Sequence, residues 1–183
     1  PPLLAAPELR DRYRVSYNFK GADGLGGLSS NSPLAMAASW SPELLERVGR
    51  VTAEEMAPTG IHETFSPVLC LTRDVRWGRT GETFGEDPYL IGELGAALIR
   101  GYQGRGLDDP TAVVATAKHY AGYSETQGGR DASEADISRR KLRSYFLPSF
   151  ERAARAGAMM FMTGYQSMDG VPSTASRWLL REV

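Results

Sequence analysis

Three short apolar runs, each followed by a glycine- and charge-rich loop and then by a helical pattern, constrain this chain more than any other feature. They cover residues 65–71, 111–117 and 158–163, so their starts recur about 46 residues apart. That spacing is too long for hairpins and suits parallel strands joined by helical crossovers. The pattern predicts an α/β fold. A (β/α)8 barrel, whose post-strand loops build the active site, is the leading form. A doubly wound sheet obeys the same logic and stands as the alternative. A complete barrel takes about 250 residues, so the 183 present are expected to hold only part of one.

The helices between the runs announce themselves locally. From Ser41 to about Ala57, Ser41 can cap, Pro42 fits the first helical position, Glu43 suits the positive helix start, and Leu44, Leu45, Val48, Val51 and Met56 recur at helical spacing. Pro58-Thr59-Gly60 ends it. A second helix starts at the Asp87 cap and Pro88 and carries Leu90, Ile91, Leu94, Ala97 and Leu98 on one face, ending near Gly101. A third begins after Asp136 or Ser138 and runs through Leu142, Phe146 and Phe150 to Gly157, with a kink expected at Pro148. The last residues, Trp178 to Val183, read as the start of a further helix with no stop signal, and the chain is expected to continue beyond them.

Composition narrows the function classes. With 21 basic against 22 acidic residues the net charge is -1, which argues against nucleic acid or an anionic membrane surface as partner. No apolar run approaches the roughly 20 residues that span a bilayer. The sequence thus reads as a soluble globular protein, cytoplasmic or exported. Cys70 is the one cysteine and there are two histidines, so neither a disulfide framework nor a dedicated metal cage is expected. The segment Gly21-Ala22-Asp23-Gly24-Leu25-Gly26-Gly27 lacks the spacing of a dinucleotide or phosphate loop, and no cofactor is implied.

Candidate chemistry sits in the post-strand loops. The first, residues 73–88, holds three arginines, four acids and two aromatics, among them Arg76, Trp77, Arg79 and Glu82. Such a loop either lines a polar cleft or is an exposed surface laced with ion pairs. The second opens with Lys118-His119-Tyr120 directly after an apolar strand. A lysine there is costly unless it finds an anion or a dense hydrogen-bond set, which marks a site. In Gly128-Gly129-Arg130-Asp131 the two charged residues could reach the pocket or pair with each other. Met162 would ordinarily be core, whereas Tyr165, beyond the third strand, could wall a sugar site.

Taken in order, the segments Ala37-Ala38-Ser39-Trp40-Ser41-Pro42-Glu43-Leu44, Arg76-Trp77-Gly78-Arg79 with Glu82, Gly85-Glu86-Asp87-Pro88, Gln103-Gly104, Lys118-His119-Tyr120 and Asp169-Gly170-Val171-Pro172 closely resemble the N-terminal (β/α)8 domain of glycoside hydrolase family 3. This is the β-glucosidase and β-xylosidase group. The resemblance covers residues 23–183 and implies that residues 1–183 form the N-terminal part of that barrel domain. It implies that Asp23, Arg79, Lys118 and His119 hold hydroxyls of a terminal nonreducing sugar, with Met162 and Tyr165 lining the same subsite. It implies retaining hydrolysis of a β-glucoside or related oligosaccharide. The family's nucleophilic Asp and acid/base Glu are expected beyond Val183, so none of Glu82, Glu86, Asp131 or Asp169 is assigned as catalytic. Leu25-Gly26-Gly27-Leu28 replaces the His or Asn and Arg that often follow the Asp23-Gly24 position. Tyr120-Ala121-Gly122-Tyr123 replaces the His-containing loop of the N-acetylglucosaminidase branch. A non-catalytic sugar-binding fragment and an unrelated α/β oxidoreductase are the competing functions.

Overall fold

The computed structural model describes Arg14–Ser16 by backbone and residues 32–183 in full. The described elements are strand β1 (Arg14–Ser16), helices α1 (Pro33–Ala37) and α2 (Pro42–Met56), β2 (Ile61–Thr64), α3 (Pro88–Gln103), β3 (Val114–Tyr120), α4 (Arg139–Lys141), α5 (Leu147–Arg155), β4 (Met160–Thr163), the hairpin β5 (Ser167–Met168) and β6 (Val171–Pro172), and α6 (Arg177–Arg181). Strands β1 to β4 lie side by side in chain order and every pair is parallel. The reversal of strand order that marks a doubly wound sheet does not occur among them.

Local signals set the helices as the sequence suggests. The Ser41 hydroxyl accepts from the Leu44 amide at 3.2 Å, and Asp87 accepts from the Leu90 amide at 2.7 Å. Each is followed by proline at the first helical position, where no N–H is needed. α2 and α3 pack at close range because two glycines face each other: a Cβ on Gly101 would lie 2.2 Å from the Glu46 carbonyl oxygen, and one on Gly49 would lie 2.7 Å from that of Leu98. The kink expected at Pro148 takes the form of a π turn, residues 142–146, between α4 and α5. Proline cannot donate to the carbonyl one turn back, and the widened turn accommodates it.

The strands differ from expectation in placement. Residues 65–71 do run beside β3, but regular pairing is confined to Ile61–Thr64. Pro67 has no N–H to give, so beyond Thr64 the ladder becomes irregular: Thr116 donates to the Ser66 carbonyl, Lys118 to that of Pro67, and Leu69 to that of Lys118. β3 starts and ends three residues later than predicted, which puts Lys118 and His119 inside the strand end and not after it. β1 lies outside the three apolar runs read from the sequence.

Residues 68–71 alternate between two environments, as extended chain must. Leu69 and Leu71 join Leu45, Ile91, Leu94, Leu98, Ala115, Phe146 and Phe150 in the main core between sheet and helices. Val68 and Cys70 point to the opposite side, where they pack with Trp77 and Tyr123. That second, smaller cluster is the floor on which the candidate site rests.

Candidate sugar-binding site

The site is assembled at the C-terminal ends of β3 and β4 and in the loop after residues 65–71. Arg79 lies where the chain turns from Trp77 into a 3-10 segment, residues 80–82, and its guanidinium forks onto Glu82 at 3.1 and 2.8 Å. It also lies over the Tyr123 ring, 5.5 Å from the centroid, and donates to the phenol oxygen at 3.5 Å. Burial works against the Arg79 charge, but the hydrogen bonds to Glu82 and Tyr123 outweigh it, and the pKa stands above its ordinary value. The guanidinium is permanently charged and its planar fork is held in one orientation.

Lys118 is 7% exposed, yet its ammonium makes no hydrogen bond or ion pair among the described residues. Burial, then the nearby Arg79 charge, lowers its pKa, with Glu82 acting in the opposite sense. A cation buried in this way is costly unless it gains hydrogen-bond or carboxylate partners. His119 is likewise buried. Its main-chain N–H donates to Cys70 Sγ at 3.3 Å, and its Nδ1 lies 3.5 Å from the same sulfur. Burial, then Arg79 and Lys118, pushes its pKa down to about 2, so the ring is neutral. A bulge between Lys118 and Tyr120 interrupts the strict alternation of β3.

Aromatic rings frame these groups. The Tyr123 ring meets His119 at 4.8 Å, Trp77 at 5.3 Å and Tyr165 at 5.4 Å between centroids. Tyr165, 64% exposed, also lies 6.2 Å from His119, at the rim of the cluster. Met162 pairs with Lys118 across the β3–β4 ladder and is half-buried. The structure therefore brings Arg79, His119 and Tyr165 around the Tyr123 ring, with Lys118 near Arg79 and paired in register with Met162. Asp23 lies outside the described residues.

Asp131 settles one of the open alternatives. It pairs not with Arg130 but with the site's aromatic floor, accepting from Trp77 Nε1 at 3.1 Å and from the Tyr123 hydroxyl. The loop residues 73–88 likewise divide. Asp74 and Arg76 pair on the surface, with the Asp74 pKa lowered to about 2 chiefly by that hydrogen bond, whereas Trp77 and Arg79 turn inward. Tyr123, Cys70 and the Asp131 role were not legible in the sequence. Tyr123 follows Gly122 in a turn with no periodic signal, and Cys70 reads as one more apolar strand residue.

These hydrogen-bonding groups and aromatic faces lie at the C-terminal ends of parallel strands, where barrels of the (β/α)8 type build their active sites. Residues 21–183 match the glycosyl hydrolase family 3 N-terminal domain, and the chain belongs to that family. The partial sheet is part of its TIM-barrel-like fold. A β-glucosidase involved in saponin metabolism from intestinal bacteria is 59% identical, with TM-score 0.81 over 83% of this chain and 20% of that one. A mutant β-glucosidase from Listeria innocua in complex with laminaribiose is 37% identical, with TM-score 0.87 over 92% of this chain and 23% of that one. A β-xylosidase from Formosa agariphila is 41% identical over 82% of this chain. The chain spans about a fifth of the length of the curated relatives it matches. No helix among the described residues is long and apolar enough to cross a membrane.

Proposed function

We propose that this chain supplies the subsite for the terminal nonreducing sugar of an exo-acting, retaining β-glucosidase, as the N-terminal part of its barrel. The observation that carries this is the grouping of Arg79 and His119 against the Tyr123 ring, with the Lys118 charge close enough to act on both and Tyr165 at the rim. A neutral sugar offers many hydroxyls and no charge. Two cations and a neutral imidazole can hold those hydroxyls, and the bonds strengthen as positive charge and distortion develop on the ring in an oxocarbenium-like transition state. Met162 and Tyr165 supply apolar surface for the sugar's faces, and the family resemblance assigns a further sugar hydroxyl to Asp23.

Retaining hydrolysis needs two carboxyl groups about 5 to 5.5 Å apart. Among the described residues, Glu82 is paired with Arg79, Asp131 with Trp77 and Tyr123, and Glu134 with Ser167 and the Gly170 amide. By resemblance to the family, the nucleophilic Asp and acid/base Glu are assigned to parts of the intact protein outside these residues. Terminal β-glucosyl groups are the substrate because the saponin-metabolising relative, at 59% identity, is a β-glucosidase. A β-xylosidase of the same family is the second reading, favoured by the 41% identity to the Formosa agariphila β-xylosidase.

Kinetics of the intact protein on p-nitrophenyl β-glucoside and β-xyloside separate these readings. The glucoside is expected to have the higher kcat/KM. A higher value for the xyloside overturns the glucosidase assignment, and turnover of neither overturns the glycosidase function. Turnover by residues 1–183 alone would show that their own carboxylates are catalytic.

A further inference from the structure

We infer that Cys70 is a positioning residue that fixes the tautomer of His119, leaving the ring's N–H on Nε2. This rests on the proposal that His119 holds a sugar hydroxyl. A thiol has one hydrogen to give and is a weak acceptor. Cys70 Sγ already accepts from the main-chain N–H of His119 at 3.3 Å. The acceptor within reach of its S–H is His119 Nδ1, at 3.5 Å. If Nδ1 carried the proton instead, two N–H groups would crowd onto one weak acceptor and the thiol hydrogen would have no partner among the described residues. Both residues are buried, Cys70 to 2% and His119 to 1% exposure, so an unmet donor would carry its full desolvation cost.

The arrangement has a chemical consequence. With Nδ1 occupied as acceptor, the remaining nitrogen is an N–H donor, matched to a lone pair of a sugar hydroxyl. The charged groups around the pair are Arg79, Lys118 and Glu82, and the phenols are Tyr123 and Tyr165. The two cations oppose protonation of the ring, and burial holds the Cys70 thiol pKa up at about 12, so both members stay neutral. A neutral thiol orients the ring without adding charge. A carboxylate in the same place would draw it toward imidazolium.

Long-range 1H–15N NMR on the histidine-labelled intact protein tests the claim directly, with His119 assigned by the signal lost in His119→Gln. The expected pattern is an unprotonated Nδ1 and a protonated Nε2, unchanged from about pH 6 to 8. A protonated Nδ1, as the other tautomer or as imidazolium, overturns it. Kinetics on a series of monodeoxy β-glucosides separate this inference from the one beneath it. His119→Gln is expected to erase the contribution of one hydroxyl, and Cys70→Ala to reduce that same contribution by about tenfold, the loss of one neutral hydrogen bond. Cys70→Ser, which retains a donor, restores it. If His119→Gln leaves every hydroxyl's contribution intact, the sugar-binding role of His119 falls. If His119→Gln erases one and Cys70→Ala leaves it untouched, the positioning role of Cys70 falls while the site stands.

Discussion

Trp77 Nε1 donates to Asp131 Oδ1 at 3.1 Å, and the Tyr123 hydroxyl donates to the same carboxylate. One acid thus joins the loop after residues 65–71 to the loop after β3 and holds the floor on which Arg79 and His119 rest. Asp131→Ala removes the acceptor for both groups while the Trp77 ring stays buried. The expected cost is about 1–3 kcal/mol of stability, with kcat/KM lowered as well. Asp131→Asn keeps a carbonyl oxygen and should retain most of both. Thermal unfolding and steady-state kinetics on the intact protein check this; equal stability of Asp131→Ala and the parent would refute the bracing role.

Arg79 and Lys118 should separate stability from function. Lys118→Met keeps the stem and deletes a desolvated charge with no partner among the described residues, so stability is expected to hold or rise. Its kcat/KM should nonetheless fall by about an order of magnitude or more, since a charge-assisted bond to the sugar is lost. Arg79→Ala should lose as much activity and also release Glu82 and Tyr123. Unchanged kinetics in folded Lys118→Met would remove it from the site.

The burial of His119 makes stability depend on pH. The unfolded chain takes up a proton at His119 near the ordinary value of 6.5, whereas the folded ring does so only near 2. Between these values the unfolded state holds more protons, so the His119 contribution is full above about pH 6.5 and declines as the pH falls. The limiting slope is about 1.4 kcal/mol per pH unit. Denaturant titrations of the parent and of His119→Gln should show this slope in their difference, since the carboxylates are common to both. Parallel curves would contradict it.

Helix packing gives a test remote from the site. In Gly101→Ala the new methyl would meet the Glu46 carbonyl oxygen at 2.2 Å and the Arg50 nitrogen at 2.9 Å, both backbone atoms that cannot swing away. α2 and α3 must part, at an expected cost of about 1–3 kcal/mol. A Tm equal to that of the parent would show that the helices have room to spare.

The sequence by itself determined what neighbouring residues enforce. Ser41 and Asp87 cap helices because a side-chain oxygen three residues before an amide can reach it whatever lies beyond. The apolar run before Lys118 implied a buried strand ending in a charge that needs partners, and the structure has that charge at 7% exposure. Strand pairing was less legible, since Pro67 and the bulge after Lys118 shift register through partners on another segment. Only the tertiary structure decided that Cys70 lies against His119, that Tyr123 meets three other aromatic rings, and that Asp131 turns from Arg130 to Trp77. Apart from that between His119 and Tyr123, those contacts join residues far apart in the chain. No local propensity encodes them, because they exist only once parallel strands set their loops side by side.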